Sequence, residues 1–240
     1  MAEEYSVEIT KRFMELYRDL DPFLYGSSQK FEDFYNMHSV EIDSIRHMRN
    51  ILVHAKGPGS YPFLVSRKTL SELESILGFL KTPCSSIGSS ALCAATPEDR
   101  FAEIIETMAI KNYSFLPILS AEGKLVGVIS ENSILRAMAA NNNEGLVYDS
   151  ASKIADFIQF FKVEDNPNEF FEFKDPGVFL YQIEPDFSHF DAEQKKLGAI
   201  FVTDGGNPEG KVQRMITAWD LLPYLSKTYH YVPPFSSKKN

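Results

Sequence analysis

The sequence predicts an α+β protein in which a helical N-terminal domain of three helices precedes a tandem of short βαβ-type units. Three observations predict it. Apolar residues in the first 80 positions recur at steps of three and four. After Pro83 the texture changes to short β-rich runs between short helices. The order strand, glycine turn, strand, capped helix then occurs twice, over residues 115–138 and 199–225. A chain of 240 residues is long enough for two units, each with a core of its own.

Val7, Phe13, Leu16 and Leu20 mark a first helix ending near Asp21 and Pro22. Phe31, Phe34, Tyr35, His38, Ile42, Ile45, Met48 and Leu52 lie on one face of a long helix, or of two with a break near Ser39. Gly57, Pro58 and Gly59 stop it. A further helix begins at Ser66 or Thr69 and carries Leu70, Leu73, Ile76, Leu77 and Leu80 on one side. In the repeated part, Thr96 caps a helix whose first turn is Pro97, Glu98 and Asp99 and which runs to Lys111. Strands follow at Phe115–Leu119 and Leu125–Ile129, around a turn holding Gly123, with a helix after Ser130. The second copy repeats this as Ala199–Thr203, a glycine-rich turn, Val212–Ile216 and a helix Ala218–Leu225. Asn141–Asn143 reads as a linker and Asn166–Asp175 as an irregular acidic loop. The expected domains are 1–82, helical; 83–228, repeated, with copies at about 83–142 and 150–228; and a flexible tail, 229–240.

Composition narrows the function. A formal net charge of −9 disfavours sequence-independent nucleic-acid binding, which depends on neutralising phosphates. Arg46, Arg49, Lys56, Arg67 and Lys68 nevertheless form a stretch free of Asp and Glu, which keeps a small anionic partner open. No apolar run approaches the roughly 20 residues of a membrane span, and the N-terminus is acidic where a signal peptide is basic. With only Cys84 and Cys93, and no metal-ligand spacing, reduced thiols in a cytoplasmic protein are expected. No Ser/His/Asp set, phosphate loop or Cys/His metal site is legible in the spacing.

The run Phe115–Met138 resembles the second half of a CBS domain, and Ala199–Leu225 the same half of a second, degenerate copy. The resemblance implies a tandem CBS pair (a Bateman module) whose clefts take adenosine-containing ligands such as AMP, ADP, ATP or S-adenosylmethionine, with no cofactor required. It implies a ribose-binding motif of Thr or Ser, two residues, then Asp. Thr217 and Asp220 complete that motif, whereas Ser130 and Ser133 stand at its ends in the first copy, without the Asp. Thr217 and Asp220 also serve as an ordinary capping pair, and Arg214, where the first copy has Gly127, either closes the cleft or contacts a phosphate. Trp219 stacks on a base or belongs to the core.

Arg49, Asn50 and His54 resemble the short signature of the HEPN superfamily, helical domains that include metal-independent ribonucleases and inactive members. The resemblance implies a site completed across a dimer, in which His54 activates a ribose hydroxyl, Arg49 stabilises charge on the phosphate and Asn50 orients them. Lys56 stands where some members have tyrosine. Five residues along an α-helix place Arg49 and His54 about 140° apart, so they share no face. His38 lies on the apolar face as a satisfied core residue. The sequence therefore carries three functions: a cytoplasmic, homodimeric nucleotide sensor read out by the helical domain, a ribonuclease acting on RNA, and a non-catalytic adaptor.

Overall fold

The computed structural model describes residues 5–26, 28–54, 61–88, 93–144 and 149–225. It is an α+β fold with a helical N-terminal region. The chain divides into two compact units. One comprises Met1–Thr82, Phe179–Pro185 and the chain from Leu221; the other comprises Pro83–Val178 and Asp186–Asp220. Two pieces of the repeated sequence thus group with the helices. The Gly57–Gly59 stop, Lys56 and the expected tail lie outside the described residues.

The helical unit contains α1 (Val7–Leu24), α2 (Gln29–Met37), α3 (Ser39–Val53) and α4 (Arg67–Lys81). The long periodic segment breaks at His38, as the reading of two helices with a break near Ser39 has it, so the unit holds four helices and not three. Ser6, Ser28 and Ser66 cap α1, α2 and α4, each hydroxyl accepting from the amide three residues on. Helix α1 runs past Pro22, since a proline one turn from a C-terminus forfeits a single backbone bond. The apolar faces meet as expected: Phe13, Leu20, Phe34, Ile42, Ile45, Leu73, Ile76 and Phe79 are all buried. Val7 is an exception, 40% exposed at the first turn. Phe179–Pro185 adds Leu180 and Ile183 to this core, and the Tyr181 ring meets Phe23, Phe31 and Phe34 edge-on at 6.0–6.3 Å.

In the repeated unit the first copy consists of α5 (Phe101–Lys111), an antiparallel pair β1 (Phe115–Leu119) and β2 (Leu125–Ser130), and α6 (Glu131–Glu144). Ala95 makes a parallel bridge to Ile118. Helix α5 starts at Phe101, not after Thr96. The carboxylate of Asp99 does accept from the Thr96 amide at 2.6 Å, as a cap would, but this closes a turn. The carbonyls of Pro97 and Asp99 are already taken by the amides of Ala155 and Ile154, and Arg100 bridges Lys153. Asn141–Asn143 is the last turn of α6, not a linker.

Residues 149–161, which the sequence places in the second copy, complete the first. Ile154, Phe157 and Phe161 are buried in one cluster with Phe101, Met108, Leu116, Ile118 and Ile129. Phe157 stacks on Phe101 with centroids 4.8 Å apart.

The second copy begins at β3 (Glu169–Lys174), inside the segment expected to be an irregular loop. Its alternate Phe171 buries against Phe201, and it pairs in parallel with β4 (Lys196–Thr203), which pairs antiparallel with β5 (Val212–Ile216) before α7 (Ala218–Leu225). The registers of the two hairpins coincide: Ile118 faces Gly127, and Val202 faces Arg214. The parallel partner of Ile118 is Ala95 and that of Val202 is Lys174, each followed two residues later by a proline, Pro97 and Pro176. Where the first copy then has α5, the second has only 3-10 turns at Leu180–Gln182 and Pro185–Ser188.

Gly127 is required by a close approach. A Cβ there would sit 2.6 Å from the Phe161 carbonyl oxygen, which accepts from the Val128 amide at 2.8 Å. Backbone can give little here, so Gly127→Ala is expected to cost about 1–3 kcal/mol of stability, measured by urea unfolding. A change below about 0.5 kcal/mol would show that the 149–161 segment moves away without loss.

Candidate functional site

An open cleft of about 450 Å³ lies in the repeated unit where the starts of several elements converge. Pro167, Asn168 and Glu169 enter β3, Leu197 and Gly198 begin β4, and Thr217, Ala218 and Trp219 lead into α7. The first copy contributes Phe115 from β1 and Asn132 from α6, so residues of both copies line the cleft. Its volume is that of a small-molecule site. Gly198 keeps the floor low: a Cβ there would lie 2.9 Å from the Phe171 ring and 3.1 Å from that of Phe115.

Of the motif residues of the second copy, Thr217 lines the cleft and Asp220 is bonded to it. One carboxylate oxygen of Asp220, Oδ2, accepts from the Thr217 amide at 2.7 Å and from its hydroxyl at 2.8 Å. Asp220 therefore does cap the start of α7, yet Oδ1 receives no hydrogen bond among the described residues. Trp219 is not core: it is 72% exposed, and it lines the cleft. Arg214 neither closes the cleft nor lines it. Its guanidinium donates to the carbonyls of Ile87 and Gly88 at 3.4 and 3.2 Å, beside the 3-10 turn Cys84–Ser86.

Ser130 and Ser133, expected from the sequence to contact a ligand, are brought together in the matching place of the first copy, buried and bonded to each other. They are 1% and 0% exposed. The Ser133 hydroxyl accepts from the Ser130 amide at 2.7 Å and donates to the Ser130 carbonyl at 2.8 Å, while Ser130 Oγ accepts from the Ser133 amide. A neutral hydroxyl there makes the bond that the Asp220 carboxylate makes in the second copy.

Sequence reasoning missed Asn132, Asn168, Glu169, Gln194 and Lys196. Asn132 and Asn166 donate their amides to the two oxygens of Glu169 at 3.1 and 3.2 Å, and Asn166 Oδ1 accepts from the amides of Asn168 and Glu169. The echo of Thr96–Pro97 in Asp175–Pro176 was the signal that would have located β3, and with it this edge of the cleft.

The residues of the second motif are placed differently. The Arg49 guanidinium lies 5.2 Å over the Tyr17 ring of α1, 3.7 Å from Asp21, and donates to Asn50 at 3.1 Å. His54 is exposed at the C-cap of α3. Arg49 thus turns towards α1, and the geometry brings Arg49 to Asn50 but not to His54. His38 is satisfied in the core, as expected: it is 2% exposed, and its Nε2–H donates to the Glu184 carboxylate at 2.9 and 3.1 Å. Both cysteines are free thiols, and burial pushes that of Cys84 up to about 12, so it is inert at neutral pH. No described helix is long and apolar enough to cross a membrane.

Residues 85–140 match the CBS domain family. No curated protein matches the chain. Among solved structures, the chain is similar to CBSX2 in complex with AMP, at 13% identity and a TM-score of 0.44, over 61% of this chain and 97% of that one. It is similar to the CBS domain pair of protein MJ0100 in complex with 5′-methylthioadenosine and S-adenosyl-L-methionine, at 18% identity and 0.44, over 62% and 98%. It is similar also to an acetoin utilization protein of Vibrio cholerae, at 12% and 0.44, over 60% and 90%.

Proposed function

We propose that the protein is a regulatory sensor, cytoplasmic and without catalysis of its own, whose repeated unit binds an adenosine-containing nucleotide beside α7. One observation carries this: Thr217 and Trp219 open onto a cleft built from the strand and helix starts of both copies. The CBS match of residues 85–140 supports it. Asp220 Oδ1 is available to a ribose hydroxyl, Trp219 and Phe115 offer aromatic faces to a base, and the buried Ser130–Ser133 pair limits binding to one site.

The readout passes through the chain itself. Between β3 and β4, both of which line the cleft, the sequence enters the helical unit at Phe179 and returns at Asp186. A ligand that favours one arrangement of these strands shifts the Phe179–Pro185 segment with them. Homodimerisation is supported by exposed apolar pairs one turn apart, Leu135 and Met138 on α6 and Trp219 and Leu222 on α7, of which Leu135 and Leu222 stand at corresponding places of the repeat. The ribonuclease reading draws no such support, since Arg49 is engaged by Asp21 and Tyr17.

Thermal unfolding of wild type and Asp220→Ala against AMP, ADP, ATP and S-adenosylmethionine tests the proposal. A ligand at 100 times its dissociation constant adds about 2.7 kcal/mol. At this size the midpoint rises by roughly 5–10 °C. A rise in wild type that shrinks in Asp220→Ala is expected; no rise with any of the four overturns the sensor.

A further inference from the structure

We infer that Lys196 makes the cleft selective for a phosphate-bearing, anionic nucleoside over an uncharged nucleoside or a cationic sulfonium nucleoside; this rests on the sensor reading above.

Lys196 is the only cationic side chain among the described residues that line the cleft. It stands at the first position of β4, exposed, directly opposite Glu169 in the parallel register of β3 and β4. A lysine facing a glutamate across two strands ordinarily spends its charge on that neighbour. Here the neighbour is occupied otherwise. The two Glu169 oxygens are held by the amides of Asn132 at 3.1 Å and Asn166 at 3.2 Å. Asn166 is itself 3% exposed and fixed by the backbone amides it accepts, so this arrangement is built into the start of β3. The adjacent lysine, Lys195, does pair, with Glu193 at 2.6 Å. Lys196 makes no ion pair among the described residues and lines the cleft, on the same strand end as Gly198 and on the rim shared with Thr217 and Trp219. An ammonium in that place is a point-charge partner for a phosphate and repels a sulfonium.

The chain supplies its own reporter. Trp219 is its single tryptophan, and it is exposed at the cleft, so intrinsic fluorescence reads occupancy there directly. Titrations with AMP, adenosine and S-adenosylmethionine separate the phosphate from the rest of the ligand, because AMP and adenosine share base and ribose. In wild type, AMP is expected to bind at least about tenfold more tightly than adenosine, with the preference falling as salt rises. In Lys196→Gln the AMP affinity drops by about that factor while adenosine binding is unchanged, and Lys196→Glu brings S-adenosylmethionine level with or above AMP. Since Lys196 is exposed, both variants should keep the wild-type unfolding midpoint. Equal affinity for AMP and adenosine in wild type, or an AMP preference that survives Lys196→Gln, overturns the role of Lys196 while leaving the sensor standing. Failure of all three compounds to change Trp219 fluorescence or the unfolding midpoint overturns the sensor and the inference together.

Discussion

Glu184→Ala is expected to destabilise the helical unit by about 2–3 kcal/mol, because it removes the buried carboxylate that accepts a hydrogen bond from His38. His38 and Glu184 side chains are 3% and 4% exposed, and the imidazole is enclosed by the Phe34 and Phe79 rings, with centroids 4.5 and 5.7 Å away. Glu184→Gln keeps an acceptor for the His38 Nε2–H and should lose far less, on the order of 1 kcal/mol. Urea unfolding followed by far-UV circular dichroism separates the two. Equal losses for Ala and Gln would show that charge, not the hydrogen bond, dominates; losses below about 1 kcal/mol for both would show that Phe179–Pro185 is held by Leu180, Tyr181 and Ile183 alone. Glu184 lies in the chain segment that joins β3 to β4.

Phe157→Ala is expected to cost the repeated unit about 3–5 kcal/mol. The ring is 2% exposed and stacks on Phe101, and the space it leaves is bounded by α5 and by the 3-10 turn Ile154–Phe160. The prediction decides where the first copy ends. If residues 149–161 were a connector, an aromatic there would be worth less than about 1 kcal/mol. If they complete the core, as the packing of Ile154, Phe157 and Phe161 against Phe101 requires, Phe157→Ala should also weaken ligand binding, because Phe115 and Asn132 belong to the same copy.

The helices were legible wherever period alone fixes burial. The apolar stripes of α3 and α4, the start of α4 at Ser66, and the glycine turns between β1 and β2 and between β4 and β5 act through neighbours one to four residues apart. The Thr217–Asp220 motif was legible for the same reason, since the two residues meet across one helical turn. Beyond that range the sequence misled. Thr96 to Asp99 carries the chemistry of a helix start, yet it becomes a turn because Ala155 and Ile154, more than fifty residues away, claim its carbonyls. Asn166–Asp175 carries the composition of a loop, yet it becomes β3 because β4 offers a parallel edge and Phe171 a place beside Phe201.

What the sequence by itself determined is the helical face of the first unit, the twofold strand–turn–strand–helix order and the single intact Thr–Asp motif, all set by covalent spacing. The tertiary structure decided the rest: that residues 149–161 finish the first copy, that Phe179–Pro185 leaves the second to join the helices, that Arg214 turns to Ile87 and Gly88, and that Glu169 is taken by two amides so that Lys196 is not. Each of these is a choice among partners distant in sequence, made by which buried polar groups find a bond and which apolar surfaces find a cover.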